Sequence, residues 1–319
     1  MFGHCPKCPC FRERRYMVGV KRDLGCILFA LFCLLLSACG GPAGGGSTTT
    51  PGIINVVAAE NFYGDIVQQL GGKHVAVTSV LSDPNVDPHE YESNVQNGIA
   101  VSKAQLVIAN GGGYDGWMDK LLSAAPSSNR IVLKGFDIAP HKLTDNEHVW
   151  YGVDNVQAIA QSITAALTKL DAADRKAFDS NLQVFTRSLG QITQKIGDLK
   201  AKYAGTPVGL TETIFLYQSQ PMGLNVLTPF DFQKAVAESN DPPADTVVTV
   251  NTQISQRRIK VLIYNAQTIT PLTTRLQDAA RTEGIPIVPV TETMPTGRDY
   301  QQWMLDQLAV LEQALQSGK

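Results

Sequence analysis

Residues 171–203 read DAADRKAFDSNLQVFTRSLGQITQKIGDLKAKY. Phe178, Leu182, Phe185, Leu189, Ile192, Ile196, Leu199 and Tyr203 recur at spacings that alternate four and three. That period places all eight on one helical stripe. With Asp171 as its cap, the segment predicts a helix over 172–203, about 48 Å long at 1.5 Å per residue. Such a helix outruns one ordinary lobe and suits a brace between two. A heptad stripe is also the seam of a coiled-coil dimer. Within a chain of alternating strands and helices, the packed brace in a monomer is the expected use.

The flanking sequence supplies that alternation. On the N-terminal side, IINVVAA, HVAVTSVL, QLVIANGG and RIVLKG read as strands. Between them, FYGDIVQQLGG, VQNGIAVSKA and GWMDKLLSAA read as helices, the first closed by Gly71-Gly72. Asp154 is placed to cap a further helix, NVQAIAQSITAALTKL. On the C-terminal side, PVGLTE, NVLTP, IKVLIYN and IPIVPVTE read as strands. TIFLYQSQ, TVVTVNTQISQR, TPLTTRLQDAARTEG and GRDYQQWMLDQLAVLEQAL read as helices. Strands that alternate with helices pair mainly in parallel. The expected fold is α/β. Two βα lobes, 53–150 and 206–319, flank a helical segment, 151–205, that contains the linking helix.

The 319 residues are 44% hydrophobic and 18% charged, with a formal charge of −2. These are the proportions of a globular protein. No basic stripe with interleaved aromatics is present, which argues against nucleic acid as a partner. Arg12, Arg14, Arg15, Lys21 and Arg22 precede the apolar run CILFALFCLLLSA and Cys39, the order of a secretory signal. Leu36-Ser37-Ala38-Cys39 resembles the bacterial lipoprotein box, with cleavage after residue 38 and lipid on Cys39. Lipid chains would anchor the exported protein to the cell membrane without a spanning helix. Residues 40–52, GGPAGGGSTTTPG, form a flexible tether. All six cysteines lie at or before Cys39, so the exported part has no disulfide. CPKCPC at 5–10 has only one half of a zinc-knuckle spacing. Removing 1–38 takes away six Lys/Arg and two Asp/Glu and leaves a charge of −6.

Histidine is scarce, at 4, 74, 89, 141 and 148. His74 opens a strand, where packing or capping is expected, and His141 sits in a polar loop. His89 and His148 lie in loops between βα elements, each beside acids and aromatics: NVDPHEYE and NEHVWY. Glu212 and Glu292 end the strands PVGLTE and IPIVPVTE. In open α/β sheets, ligands bind beyond the carboxyl ends of the strands. Facing lobes would bring two imidazoles and two carboxylates together. A set of four N/O donors suits a divalent transition metal such as zinc or manganese. Each carboxylate alone reads as a solvated strand end; the pattern of four points to a site.

With these motifs in place, the sequence resembles the zinc- and manganese-binding solute receptors of bacterial ABC importers. NVDPHEYE matches that family's D-P-H-x-Y/F-E loop, and AQLVIANGGGYDGWMDKLL is similar to the segment after it. NEHVWYGVDN keeps His148 and Trp150 of a second motif, with Asn146-Glu147 where the family has Asp-Pro. ETIFLYQSQPMGL and TETMPTGRDYQQW are similar to the third and fourth ligand regions, with Glu at 292 for the more usual Asp. The resemblance implies a metal shell of His89, His148, Glu212 and Glu292. It also implies Zn2+ or Mn2+, with iron behind them, as a transported ligand rather than a cofactor, and an ABC permease as partner. Asp87, Glu90 and Glu92 are candidates to hold the second nitrogen of His89. Four protein ligands leave no position for a catalytic water, so no enzymatic activity is expected. The alternatives are an exported metal-dependent hydrolase, and a tethered adhesin in which the four residues never meet.

Overall fold

A computed structural model describes residues 52–83, 86, 88 and 91–317. The predicted signal, Cys39, the tether through 51 and His89 lie outside the described residues. Among the described residues, no helix is long and apolar enough to cross a membrane.

The first half runs β1 (Ile54–Glu60), α1 (Asn61–Gly71), β2 (Val75–Leu81), α2 (Val95–Lys103), β3 (Leu106–Ala109), α3 (Gly116–Ala124), β4 (Ile131–Lys134) and the single turn α4 (Gly135–Ile138). Two helices follow, α5 (Val153–Leu170) and α6 (Arg175–Tyr203). The second half runs β5 (Pro207–Leu210), α7 (Leu216–Ser219), β6 (Asn225–Val226), α8 (Phe230–Ala237), α9 (Ala244–Ser255), β7 (Val261–Asn265), α10 (Pro271–Thr282), β8 (Ile287–Val290) and α11 (Tyr300–Ser317). Both sheets have four parallel strands, in the orders β2-β1-β3-β4 and β6-β5-β7-β8. Helices cover both faces of such a sheet, so a central strand is apolar on both sides. Strand β1 is accordingly buried at every residue but Asn55.

Helix α6 is the predicted brace. Its 29 residues span about 43 Å. Seven of the eight stripe residues are buried and Leu182 is half-buried. The stripe is absorbed within the chain: α6 packs on α1 and α5 from one half and on α11 from the other. One apolar core runs from Ile54 and Phe62 through Phe185 and Leu189 to Val288 and Trp303. Polar ties cross the same boundary. The Tyr300 N–H donates to Asp65 Oδ2 at 2.9 Å, so a side chain of α1 caps α11. Asn61 and Met294 exchange two hydrogen bonds, 2.7 and 2.9 Å.

Several local expectations are corrected. Helix α6 begins at Arg175, not 172, because residues 171–174 form the turn out of α5. Asp154 lies inside the first turn of α5, which Gly152 precedes as N-cap. Glu212 and Glu292 stand two residues past their strands, β5 and β8. Helix α8 has no counterpart in the sequence reading. It is two turns long and follows Pro229, whose missing N–H suits a helix start.

Candidate metal centre

In the first sheet the strand order reverses between β1 and β3, in the second between β5 and β7. A crevice opens at such switch points, outside the carboxyl ends of the strands. Glu60 ends β1, Asn110 follows β3, Asn265 ends β7, and Glu212 and Glu292 follow β5 and β8. All five are buried.

His148 is fully buried in the loop before α5. The Asn146 side chain fixes its ring. Asn146 Nδ2 donates to the Thr213 carbonyl at 2.8 Å, which turns Oδ1 toward the histidine. That oxygen accepts the His148 backbone N–H at 3.0 Å and lies 2.9 Å from Nδ1. An amide oxygen can only accept, so Nδ1 carries the proton and Nε2 presents its lone pair. Nε2 is 4.0 Å from Glu292 Oε2 and 4.0 Å from Glu147 Oε1. The edge of a tetrahedral zinc shell is roughly 3.3 Å, so a contraction of under about 1 Å would bring nitrogen and oxygen onto one ion.

The facing wall is built around Asn265. Its Nδ2 lies 2.6 Å from Glu292 Oε1, 2.9 Å from Glu212 Oε2 and 3.0 Å from Thr268 Oγ1, three acceptors that share its two protons. Its Oδ1 accepts the Gln267 N–H at 2.9 Å, which fixes the amide's orientation. One NH2 group thus gathers both predicted carboxylates. Gln267 works one step further out. Its Oε1 accepts the Glu292 N–H at 2.7 Å, and its Nε2 donates to the Val86 carbonyl at 3.0 Å. Val86 belongs to the loop that carries His89, so one side chain connects that loop to the Glu292 backbone.

Among the described residues, the predicted ligands are linked pairwise: His148 Nε2 stands 4.0 Å from Glu292, and Glu292 shares the Asn265 amide with Glu212. Four contributors escape the sequence reading. Glu147 was seen only as a departure from a motif. Asn265 is an ordinary strand-end amide in sequence. Burial first, then the charges of Glu292 and Glu60, push the pKa of the Tyr114 phenol far up and keep it neutral. Glu60 faces Asp115 in a buried pair. Burial, then the neighbouring Asp115, push the Glu60 carboxyl well above its usual range. Asp115 is also raised by burial, but it accepts the N–H groups of Asn110 (2.7 Å) and Gly111 (2.8 Å), which favour its charge. Glu60 is thus the protonated member. Only its position at the end of β1 could have signalled it.

Comparison with known proteins gives the family and the fold. Residues 56–314 match the family model described as ZnuA, zinc-uptake complex component A, periplasmic. The chain is 24% identical over 231 residues to the metal ABC transporter substrate-binding lipoprotein ScbA of Streptococcus cristatus, covering 67% of this chain and 72% of that one. It is 24% identical over 221 residues to the manganese ABC transporter substrate-binding lipoprotein PsaA of Streptococcus anginosus, covering 64% and 70%. Among solved structures, the periplasmic zinc-binding protein TroA from Treponema pallidum shares the fold, with a TM-score of 0.70 at 18% identity, covering 82% of this chain and 98% of that one.

Proposed function

The chain belongs to the ZnuA family of zinc-uptake components, and on that premise we propose that it captures one zinc or manganese ion at His89, His148, Glu212 and Glu292. It is a substrate-binding component of a metal ABC importer, not an enzyme, and the ion is its cargo. The permease of that importer is the proposed receiver. The observation that carries the site is the convergence of His148 Nε2 on Glu292, with Asn265 holding Glu292 and Glu212 side by side. An imidazole with its proton fixed on Nδ1 and two buried carboxylates form a donor set that a divalent ion neutralises. Two imidazoles and two carboxylates accept both zinc and manganese; intrinsic affinity rises from manganese to zinc, so supply decides which is carried. The shared core across the two sheets favours capture by side chains and loops over hinge rotation of separate lobes.

Lipidation at Cys39 would tether the receptor outside the cell membrane, as the names of its lipoprotein relatives suggest. Metal affinity falls as pH drops, because both imidazoles must shed a proton to bind. The test is elemental analysis with native mass spectrometry of the parent, His89→Ala and Glu212→Ala after loading with zinc or manganese. Each variant is expected to lose one equivalent of metal relative to the parent. Unchanged stoichiometry in both would reject the ligand set.

A further inference from the structure

A second group of metal-ligating side chains lies at the other end of strand β2. His74 stands just before β2 begins, whereas the cleft lies at the carboxyl ends of the strands. Asp171 follows α5, and Asp174 is the N-cap residue of α6. One ligating atom from each lies within 4.8 Å of the other two.

Within the group, His74 and Asp174 make a short contact, and Asp171 lies beside it. His74 Nδ1 and Asp174 Oδ2 are 2.6 Å apart. Yet Asp174 Oδ2 is shielded from solvent and takes no properly aligned hydrogen bond. A nitrogen and an oxygen this close need a cation between them, a proton or a metal ion. Asp171 Oδ2 is likewise shielded and without a hydrogen bond, while its Oδ1 accepts the Ala173 N–H at 3.1 Å. Asp174 also forgoes its local role. An Asp at an N-cap ordinarily accepts an N–H of the first turn; here it makes no cap hydrogen bond and turns to His74 instead. The imidazole is held edge-on against Phe178, ring centroids 5.6 Å apart.

We propose that His74, Asp171 and Asp174 bind a second divalent transition ion, of the zinc and manganese class. One nitrogen and two carboxylate oxygens suit that class, and the side-chain exposures of 14% at His74 and 21% at Asp174 leave room for water to complete the shell. Opening the 2.6 Å contact to the roughly 3.3 Å edge of a tetrahedral shell needs a shift of under about 1 Å. The ion would pin the turn before β2 to the start of α6. Its role is therefore structural, because the long helix that braces both sheets is fastened at its first residue. This site is independent of the cargo site and does not rest on it.

The test uses the full chain in detergent, stripped with chelator and titrated with zinc chloride, read by native mass spectrometry. Two zinc ions per parent chain are expected, and one each for His74→Ala, Asp171→Asn and His148→Ala. The double variant Asp171→Asn/His148→Ala should bind none. Asp171→Asn is nearly isosteric, which separates loss of a ligand from loss of fold. As a second readout, zinc should raise the Tm of His148→Ala and leave that of the double variant unchanged. Equal zinc content in parent, His74→Ala and Asp171→Asn overturns the proposal, as does a zinc-induced Tm rise that survives in the double variant. Failure of the cargo site would show instead as full zinc retention in His148→Ala.

Discussion

Replacing Asn265 by Leu separates the roles of the amide and the metal. The side chain is buried, and its one NH2 group serves both Glu212 and Glu292. Leucine keeps the branching at Cγ and has no donor. Each hydrogen bond to a buried carboxylate contributes about 1.5–3 kcal/mol, so the metal-free variant should lose about 3–6 kcal/mol. At roughly 2 °C per kcal/mol for a unit of this size, its Tm should fall by about 6–12 °C. A bound divalent ion neutralises the same two carboxylates without the amide. The deficit should therefore shrink by half or more when zinc is present. The assay is thermal unfolding of parent and variant, with chelator and with saturating zinc. A metal-free Tm within about 1 °C of the parent's would refute the reasoning, and so would an equal loss with and without zinc.

Further outcomes follow from other contacts. Asn146→Ala removes the acceptor that fixes the His148 ring, so zinc affinity should fall about 10–100-fold by competition with a chromophoric chelator, while Asn146→Asp retains it; equal affinity for all three proteins contradicts this. Burial raises the folded pKa of Glu60, so the folded state holds a proton that the unfolded state releases. Its contribution is full below about 4.5, the unfolded value, and is lost as pH rises toward the folded pKa. Chemical denaturation from pH 4 to 8 should show the parent losing stability relative to Glu60→Gln as pH rises; a constant difference would count against the protonated assignment. Phe185→Ala, in the buried stripe of α6, should cost about 3–5 kcal/mol by denaturant titration. A cost under about 1 kcal/mol would mean that the helix is not a brace.

What could be read from sequence depended on how local its cause was. The stripe from Phe178 to Tyr203 is periodic, so its helix and its buried face were both legible. Glu212 and Glu292 were legible because strand ends in a parallel sheet face the crevice. The caps failed because closely spaced polar residues compete for the same turn. Asp174 holds the cap position without capping, since His74, 100 residues earlier, takes its carboxylate. Asn265 and Gln267 were invisible for the same reason: an amide at a strand end acquires its role only when β5, β7 and β8 lie side by side. The Glu60–Asp115 pair joins the end of β1 to the loop after β3. No spacing rule reports two acids that meet across a sheet.

The most direct measurement is anomalous diffraction at the zinc edge from crystals of the loaded protein. The account predicts a peak in the cleft, about 2.0–2.2 Å from His148 Nε2 and from one oxygen each of Glu212 and Glu292, with His89 completing the shell. An ion bound elsewhere, with the His148 ring and the two carboxylates still out of coordinating reach of any common point, would contradict it.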